Sequence, residues 1–199
     1  MGILNRDEGT SSITPGIVRF TSPEQAAGYF MLGETTKTSA AGKERGRIRS
    51  PFTQPFFPLA HNNQARQFAD LLESAHQIEC WMMNTGYVGG DARSVKDGQG
   101  LKVKIKHSSA MLESLFRGTI VWETDKDFGY EVVCVDAPEN KALFDMVPLE
   151  ILRPDIAFVR DGKVDIYRDE VATRHTERAA YLKSHQVDPR ILAAVVPQN

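Results

Sequence analysis

Cysteine is scarce here: Cys80 and Cys134 are the only two in 199 residues. That excludes a small disulfide-stapled scaffold, and two thiols in apolar, strand-like contexts fit a reduced, cytoplasmic setting. Long hydrophobic runs are also lacking, so no segment reaches the length of a membrane span. Met1-Gly2-Ile3-Leu4-Asn5-Arg6 has no signal-peptide pattern, and Asn5-Arg6-Asp7 is a poor myristoylation context. Neither sign of charge dominates, because the formal net charge is -2. No global field recruits nucleic acid or an acidic membrane surface.

Several catalytic signatures are missing as well. A phosphate loop needs Gly-Lys followed by Ser or Thr, so that backbone amides and a lysine surround the phosphates. Gly42-Lys43 runs into Glu44 and Gly162-Lys163 into Val164, so neither qualifies. The five histidines, His61, His76, His107, His175 and His185, show no ligand spacing, so no metal site is expected from this chain. No Gly-x-Ser-x-Gly elbow or Cys–His signature points to a nucleophile, and no catalytic residue is assigned.

What is present reads as an ordinary globular sequence, 41% hydrophobic and 25% charged. Ser22-Pro23-Glu24-Gln25 predicts a capped helix running to about Leu32 and ending at Gly33. Glu34 to Pro58 reads as a long irregular loop. Apolar residues Ala65, Phe68, Ala69 and Leu72 predict a helix over 62–75, and Ile78 to Met83 a strand turned by Asn84-Thr85-Gly86. Tyr87 to Gly100 reads as a flexible, glycine-rich connection.

Leu101-Lys102-Val103-Lys104-Ile105-Lys106 alternates, which predicts a strand with three lysines on one face and a helix capped by Ser108 or Ser109 after it. That lysine face reads as a solvated, protected edge or as a cationic strand beside a helix N-terminus favouring an anion. Thr119 to Glu123 and Tyr130 to Asp136 predict a strand pair, and Pro148 to Pro154 an irregular stretch. A last long helix, from about Arg168 to His185, is expected to bury Ala172, His175, Ala179 and Leu182, and Asp188-Pro189 opens a further turn or two. The fold class is α/β or α+β, a mixed sheet with flanking helices. Residues 1–160 are read as one domain portion and 161–199 as a helical tail.

Several short motifs in order resemble ATP-dependent phosphoenolpyruvate carboxykinases. They are Gly42-Lys43-Glu44-Arg45-Gly46, the Pro/Phe-rich stretch Pro51 to Pro58, Asn84-Thr85-Gly86-Tyr87, Gly100 to Ser108, and Ile151-Leu152-Arg153-Pro154. The resemblance covers about residues 10 to 160. It implies that Lys102, Val103 and Ser108 flank a nucleotide base, and that Gly42, Arg45 and Gly46 belong to a mobile lid over 42–56. Three departures stand out: Lys102 replaces the family's adenine-stacking arginine, Ser108 its threonine and Tyr87 its tryptophan. A lysine cannot stack as a planar guanidinium does.

The family's phosphate loop, metal ligands and oxaloacetate-binding arginine all precede the stretch that this chain resembles. The resemblance therefore implies the nucleotide-side, C-terminal portion of an enzyme that decarboxylates and phosphorylates oxaloacetate, or a stand-alone relative. Either is expected to be inactive alone, with ATP bound weakly and divalent metal only in the full-length protein. Adenine nucleotide and the upstream half of the same protein are the expected partners. A non-catalytic interaction or regulatory module on the same scaffold is the alternative.

Overall fold

The computed structural model describes residues 1–36, 46–51, 56 and 59–197. Its centre is a five-stranded mixed sheet in the order β1-β5-β2-β9-β8. The strands are β1 (Gly2–Asn5), β2 (Ile17–Arg19), β5 (Trp81–Asn84), β8 (Trp122–Thr124) and β9 (Glu131–Val133). β1 and β5 run parallel, and the other neighbours are antiparallel. Two small ladders stand apart, β3 (Glu34–Thr36) with β4 (Arg47–Arg49), and β6 (Tyr87–Val88) with β7 (Leu101–Lys102).

Strand alternation divides the apolar residues between two cores. Val18, Met82 and Val132 join one core, while their chain neighbours Ile17, Met83 and Val133 join the other. The first core lies under α1 (Pro23–Leu32), α2 (His61–Ser74), α7 (Val164–Ser184) and α8 (Pro189–Val195). The second lies under α3 (Ile105–Phe116), α4 (Lys141–Met146) and α5 (Leu149–Leu152), with α6 (Pro154–Arg160) linking α5 to α7. This is a mixed sheet between helical layers, as its composition and patterning predict.

α1 keeps its expected limits. Ser22 Oγ accepts from Gln25 N at 3.1 Å, and Gly33 closes the helix in the left-handed region at φ 48°. The side chain of Gln25 reaches past Ser22 to the Thr21 amide at 3.0 Å. The helix at 61–74 falls where the patterning puts it, and the β8–β9 pair forms, but β5 runs Trp81–Asn84 rather than from Ile78 and β8 begins at Trp122 rather than Thr119.

Four expectations are corrected. The stretches read as irregular at 34–58 and 87–100 contain paired strands, Glu34–Thr36 with Arg47–Arg49 and Tyr87–Val88 with Leu101–Lys102. Strand β7 ends at Lys102 and pairs with β6 in its own ladder, and Ile105 to Phe116 is helix. The cause is twofold. Residues 107, 110, 111 and 114 form a buried helical face, and the His107 ring accepts the Lys104 amide at 3.2 Å. Lys104 is thus the N-cap in place of Ser108 or Ser109, and Ile105 is 87% exposed instead of inward. Pro148 to Pro154 is not irregular, since Pro148 immediately precedes α5 and Pro154 is the first residue of α6. A proline at the start of a helix loses no needed donor. On α7 the buried seam is Tyr167, Glu170, Arg174, Arg178 and Leu182, whereas Ala172 is exposed and His175 and Ala179 are half-buried.

Candidate functional site

Asn84 organises the turn on which the expected nucleotide residues hang. It is wholly buried, and its Oδ1 accepts from Asp7 N at 3.1 Å and Gly86 N at 2.8 Å. Its Nδ2 donates to the carbonyls of Thr14 at 3.0 Å and Tyr87 at 3.1 Å. All four hydrogen-bonding positions of the amide are used, so the side chain fixes three chain segments at once. Gly86 is required beside it, because a Cβ there would collide with the Asp7 carbonyl. Farther along, Gly100 holds φ +75° against the Gly89–Gly90 peptide, a close approach that only glycine permits.

This scaffold delivers Tyr87 opposite Lys102, with the lysine Nζ 5.9 Å from the ring centre. The amide of Val103 donates to Gly86 O at 2.9 Å, and its side chain is buried in the core under α3. Lys102 is exposed, and Ser108 lies half-buried within the second turn of α3. Val103 therefore offers no side chain to a ligand. Of the lid residues, Gly42 and Arg45 lie outside the described residues; Gly46 is exposed at φ +146°.

A second constellation was not legible as a site in the sequence. Arg174 and Arg178, on the buried face of α7, are 1% and 2% exposed. Arg174 donates to Glu170 at 2.8 Å, Thr14 Oγ1 at 2.7 Å and Asp7 at 2.5 Å. Arg178 holds Glu34 through two bonds, at 3.2 and 2.9 Å, and the Tyr29 hydroxyl at 3.0 Å. Its guanidinium lies 5.0 Å from the Tyr29 ring centre and 5.1 Å from that of Phe128. From the β3–β4 ladder, Arg47 meets Glu170, and Arg49 bonds Glu34 at 3.0 Å and Glu177 at 2.7 Å. The signal was there in part, because Glu170, Arg174 and Arg178 repeat every four residues, the period of a buried helix seam.

The electrostatics follow from this packing. Burial alone would raise the Glu34 carboxyl, but Arg178, Arg174 and Arg47 outweigh it and hold it far below the usual range. Burial pushes the Tyr29 phenol up to about 12, against the opposing pull of Arg178. Elsewhere, burial raises Asp125 to about 6, although the amides of Phe128 and Asp127 donate to it. Among the described residues no three His, Cys, Asp or Glu side chains converge as metal ligands. The donor set therefore does not fit a divalent ion held by these residues. No helix of the described residues is long and apolar enough to cross a membrane.

The phosphoenolpyruvate carboxykinase family matches the chain over residues 4–140, from within β1 through the rest of the sheet, the β6–β7 ladder and α3. Relatives of the chain carry the name phosphoenolpyruvate carboxykinase (ATP). The Bradyrhizobium diazoefficiens protein is 34% identical over 152 residues, covering 71% of this chain and 25% of its own length. The one from Parvibaculum lavamentivorans is 30% identical over 195 residues, 92% of this chain and 32% of its own. The one from Aeropyrum pernix is 34% identical over 118 residues, 59% of this chain and 22% of its own. The chain belongs to the phosphoenolpyruvate carboxykinase family, and it spans only 22% to 32% of the length of these relatives.

Proposed function

We propose that this chain is the nucleotide-side portion of an ATP-dependent phosphoenolpyruvate carboxykinase-like protein, and that it does not perform the chemistry alone. Lys102, the Val103 backbone and Ser108 are the proposed contacts to the adenine base, with 42–56 as the lid. The observation that carries the reading is the Asn84-anchored turn, which sets Tyr87 against Lys102 within the family-matched stretch. The groups that hold phosphates and divalent metal belong, in this reading, to the remaining length of the family. The full activity would decarboxylate oxaloacetate and phosphorylate the product in the cytoplasm, a gluconeogenic step.

One observation favours a second reading, a non-catalytic interaction or regulatory module. The Lys102 ammonium is turned onto the Tyr87 ring, and it has no planar face to stack on a base. Titrating ATP while following backbone amide shifts separates the two. The first reading expects shifts at residues 101–109 with affinity no tighter than about millimolar, equivalent to roughly 4 kcal/mol. It also expects no oxaloacetate-dependent ATP consumption by the purified chain. Shifts elsewhere only, or none at high nucleotide, favour the module.

A further inference from the structure

The corner between α7 and α8 carries the one non-glycine residue with a left-handed backbone among the described residues, Gln186 at φ 54°. It closes α7 with a paired cap, in which Gln186 N donates to Lys183 O at 2.9 Å and Val187 N to Leu182 O at 3.1 Å. Glycine is the usual residue there, because a Cβ makes the left-handed region costly. A glutamine stays in such a place only where its neighbours hold it. The first turn of α2 supplies two such holds. The ring of His61 stacks on that of His185, with centroids 3.8 Å apart and planes 15° apart. The side chain of Asn62 accepts from Asp188 N at 2.8 Å. Beyond the corner, α8 is tied separately to α1, where Gln25 Nε2 donates to Ala194 O at 3.2 Å.

We propose that the stacked pair His61–His185 is a proton-sensitive clasp, closed while at most one ring is charged and opened when both are, which frees the α7–α8 corner from α2. Two neutral imidazoles pack face to face, and a single imidazolium still gains from the neutral ring beneath it. A second proton puts two like charges at stacking distance. Among the described residues no carboxylate is paired with either ring to offset them. The other charged and titratable groups act at one remove. Tyr181 of α7 meets His185 edge-on at 4.7 Å, and Arg49 of β4, which acts on Tyr181, is bonded to Glu34 and Glu177. Asp188, the N-cap of α8, is bonded by Arg190 and also feels Arg66 of α2, while Lys183 lies two residues before His185. Burial first, and then the charge of His185, lower the affinity of His61 for its proton. A lowered histidine contributes stability that is present above its ordinary 6.5 and is lost as pH falls through the depressed value. The clasp is therefore shut at neutral pH and opens in acid.

Amide exchange on the whole chain, corrected for its intrinsic pH dependence, tests the clasp. As pH falls below 6.5, exchange of the Asp188 amide should accelerate about fivefold. That factor is equivalent to about 1 kcal/mol, the repulsion of two charges about 4 Å apart in water. The Val196 amide, bonded to Leu192 O at 3.0 Å within α8, should not follow it. His185→Phe keeps a flat ring for the stack but removes the second charge, so Asp188 exchange should stay level across the same range. Acceleration that persists in His185→Phe, or its absence in wild type, overturns the proposal. Equal acceleration at Asp188 and Val196 overturns it as well, because the whole helix is then fraying. Should His185→Phe not fold, the wild-type rings decide. Coupled groups lose their protons in two steps shared by the pair, so the ring-proton curves of His61 and His185 should each show both steps. Two independent single-step curves overturn the clasp.

Discussion

Under α3 the sheet buries Ile17, Met83, Val133, Met111 and Ile151, all of them apolar, while α7 on the opposite side buries Arg174 and Arg178 against Asp7, Glu34 and Glu170. Both interiors are buried, but they fail differently. An apolar core loses energy in proportion to the atoms removed, because the neighbours relax only partly into the cavity. A charged core depends on every partner, because one deletion leaves an opposite charge buried and unpaired. The α7 side therefore specifies its geometry through directional bonds, and the α3 side through volume.

The largest effect should come from breaking the charged side. Arg174→Ala removes the close cation on Asp7, which is 3% exposed. A loss of about 3–5 kcal/mol in chemical denaturation is expected. Met111→Ala, at a fully buried site in the apolar core, should cost less on average, about 2–4 kcal/mol. Were Met111→Ala clearly the more damaging, the charged cluster would be a peripheral ornament and the comparison would be wrong.

The next test sharpens the comparison through pH. Asp125 sits at the β8–β9 turn, 7% exposed, with Asp127, Asp155, Tyr29, Tyr130 and Tyr167 as its electrostatic neighbours and two amides donating to it. Its carboxyl is raised from the ordinary 3.8 to about 6, unlike Glu34, which arginines hold down. A raised carboxyl contributes stability that is fully present below pH 3.8 and is lost as pH rises through 6. Two units correspond to at most about 3 kcal/mol. Asp125→Asn keeps an acceptor for both amides, so it should match wild type near pH 4 and exceed it at pH 8. A wild-type stability curve that does not fall between pH 4 and 7 relative to the variant would rule the assignment out.

What was legible in the sequence was local. Ser22, Pro23 and Gly33 mark the limits of α1 because caps act through one or two bonds within a turn. Asn84-Thr85-Gly86 was readable as a turn for the same reason, although the four bonds of the Asn84 amide reach residues distant in sequence. The strand ending at Lys102 was misread because alternation over six residues cannot reveal that Met111 is drawn inward, which makes 105–116 helical. Likewise the α7 seam was sought among alanines and His175, since nothing near 174 in the sequence shows Asp7 or Glu34 waiting across the fold. Of the candidate site, the order of the family's motifs was readable; the pairing of Lys102 with Tyr87 depends on ladder register and needed the structure.

The smallest expected effect lies at the start of α3, where a neutral histidine does the capping. His107 Nδ1 accepts the Lys104 amide at 3.2 Å, so the proton must sit on the other ring nitrogen. Burial, followed by Lys106 and Lys104, lowers the affinity of the ring for a second proton. A lowered histidine contributes stability that is present above its ordinary value of 6.5 and is lost as pH falls through the depressed one. Protonation turns the acceptor into a donor facing a donor, which abolishes the cap, a change of about 0.5–2 kcal/mol. Asp125 and His107 therefore act in opposite directions on acidification, one strengthening the β8–β9 turn while the other frays α3. Amide exchange resolves them separately, since exchange of the Lys104 amide, corrected for its intrinsic pH dependence, should accelerate as pH falls below the ordinary histidine value of 6.5 while Phe128 slows. His107→Gln retains an acceptor that does not titrate and should remove the acid sensitivity at Lys104 alone. Acid-accelerated exchange at Lys104 persisting in that variant would assign the fraying to the lysine charges rather than to the histidine.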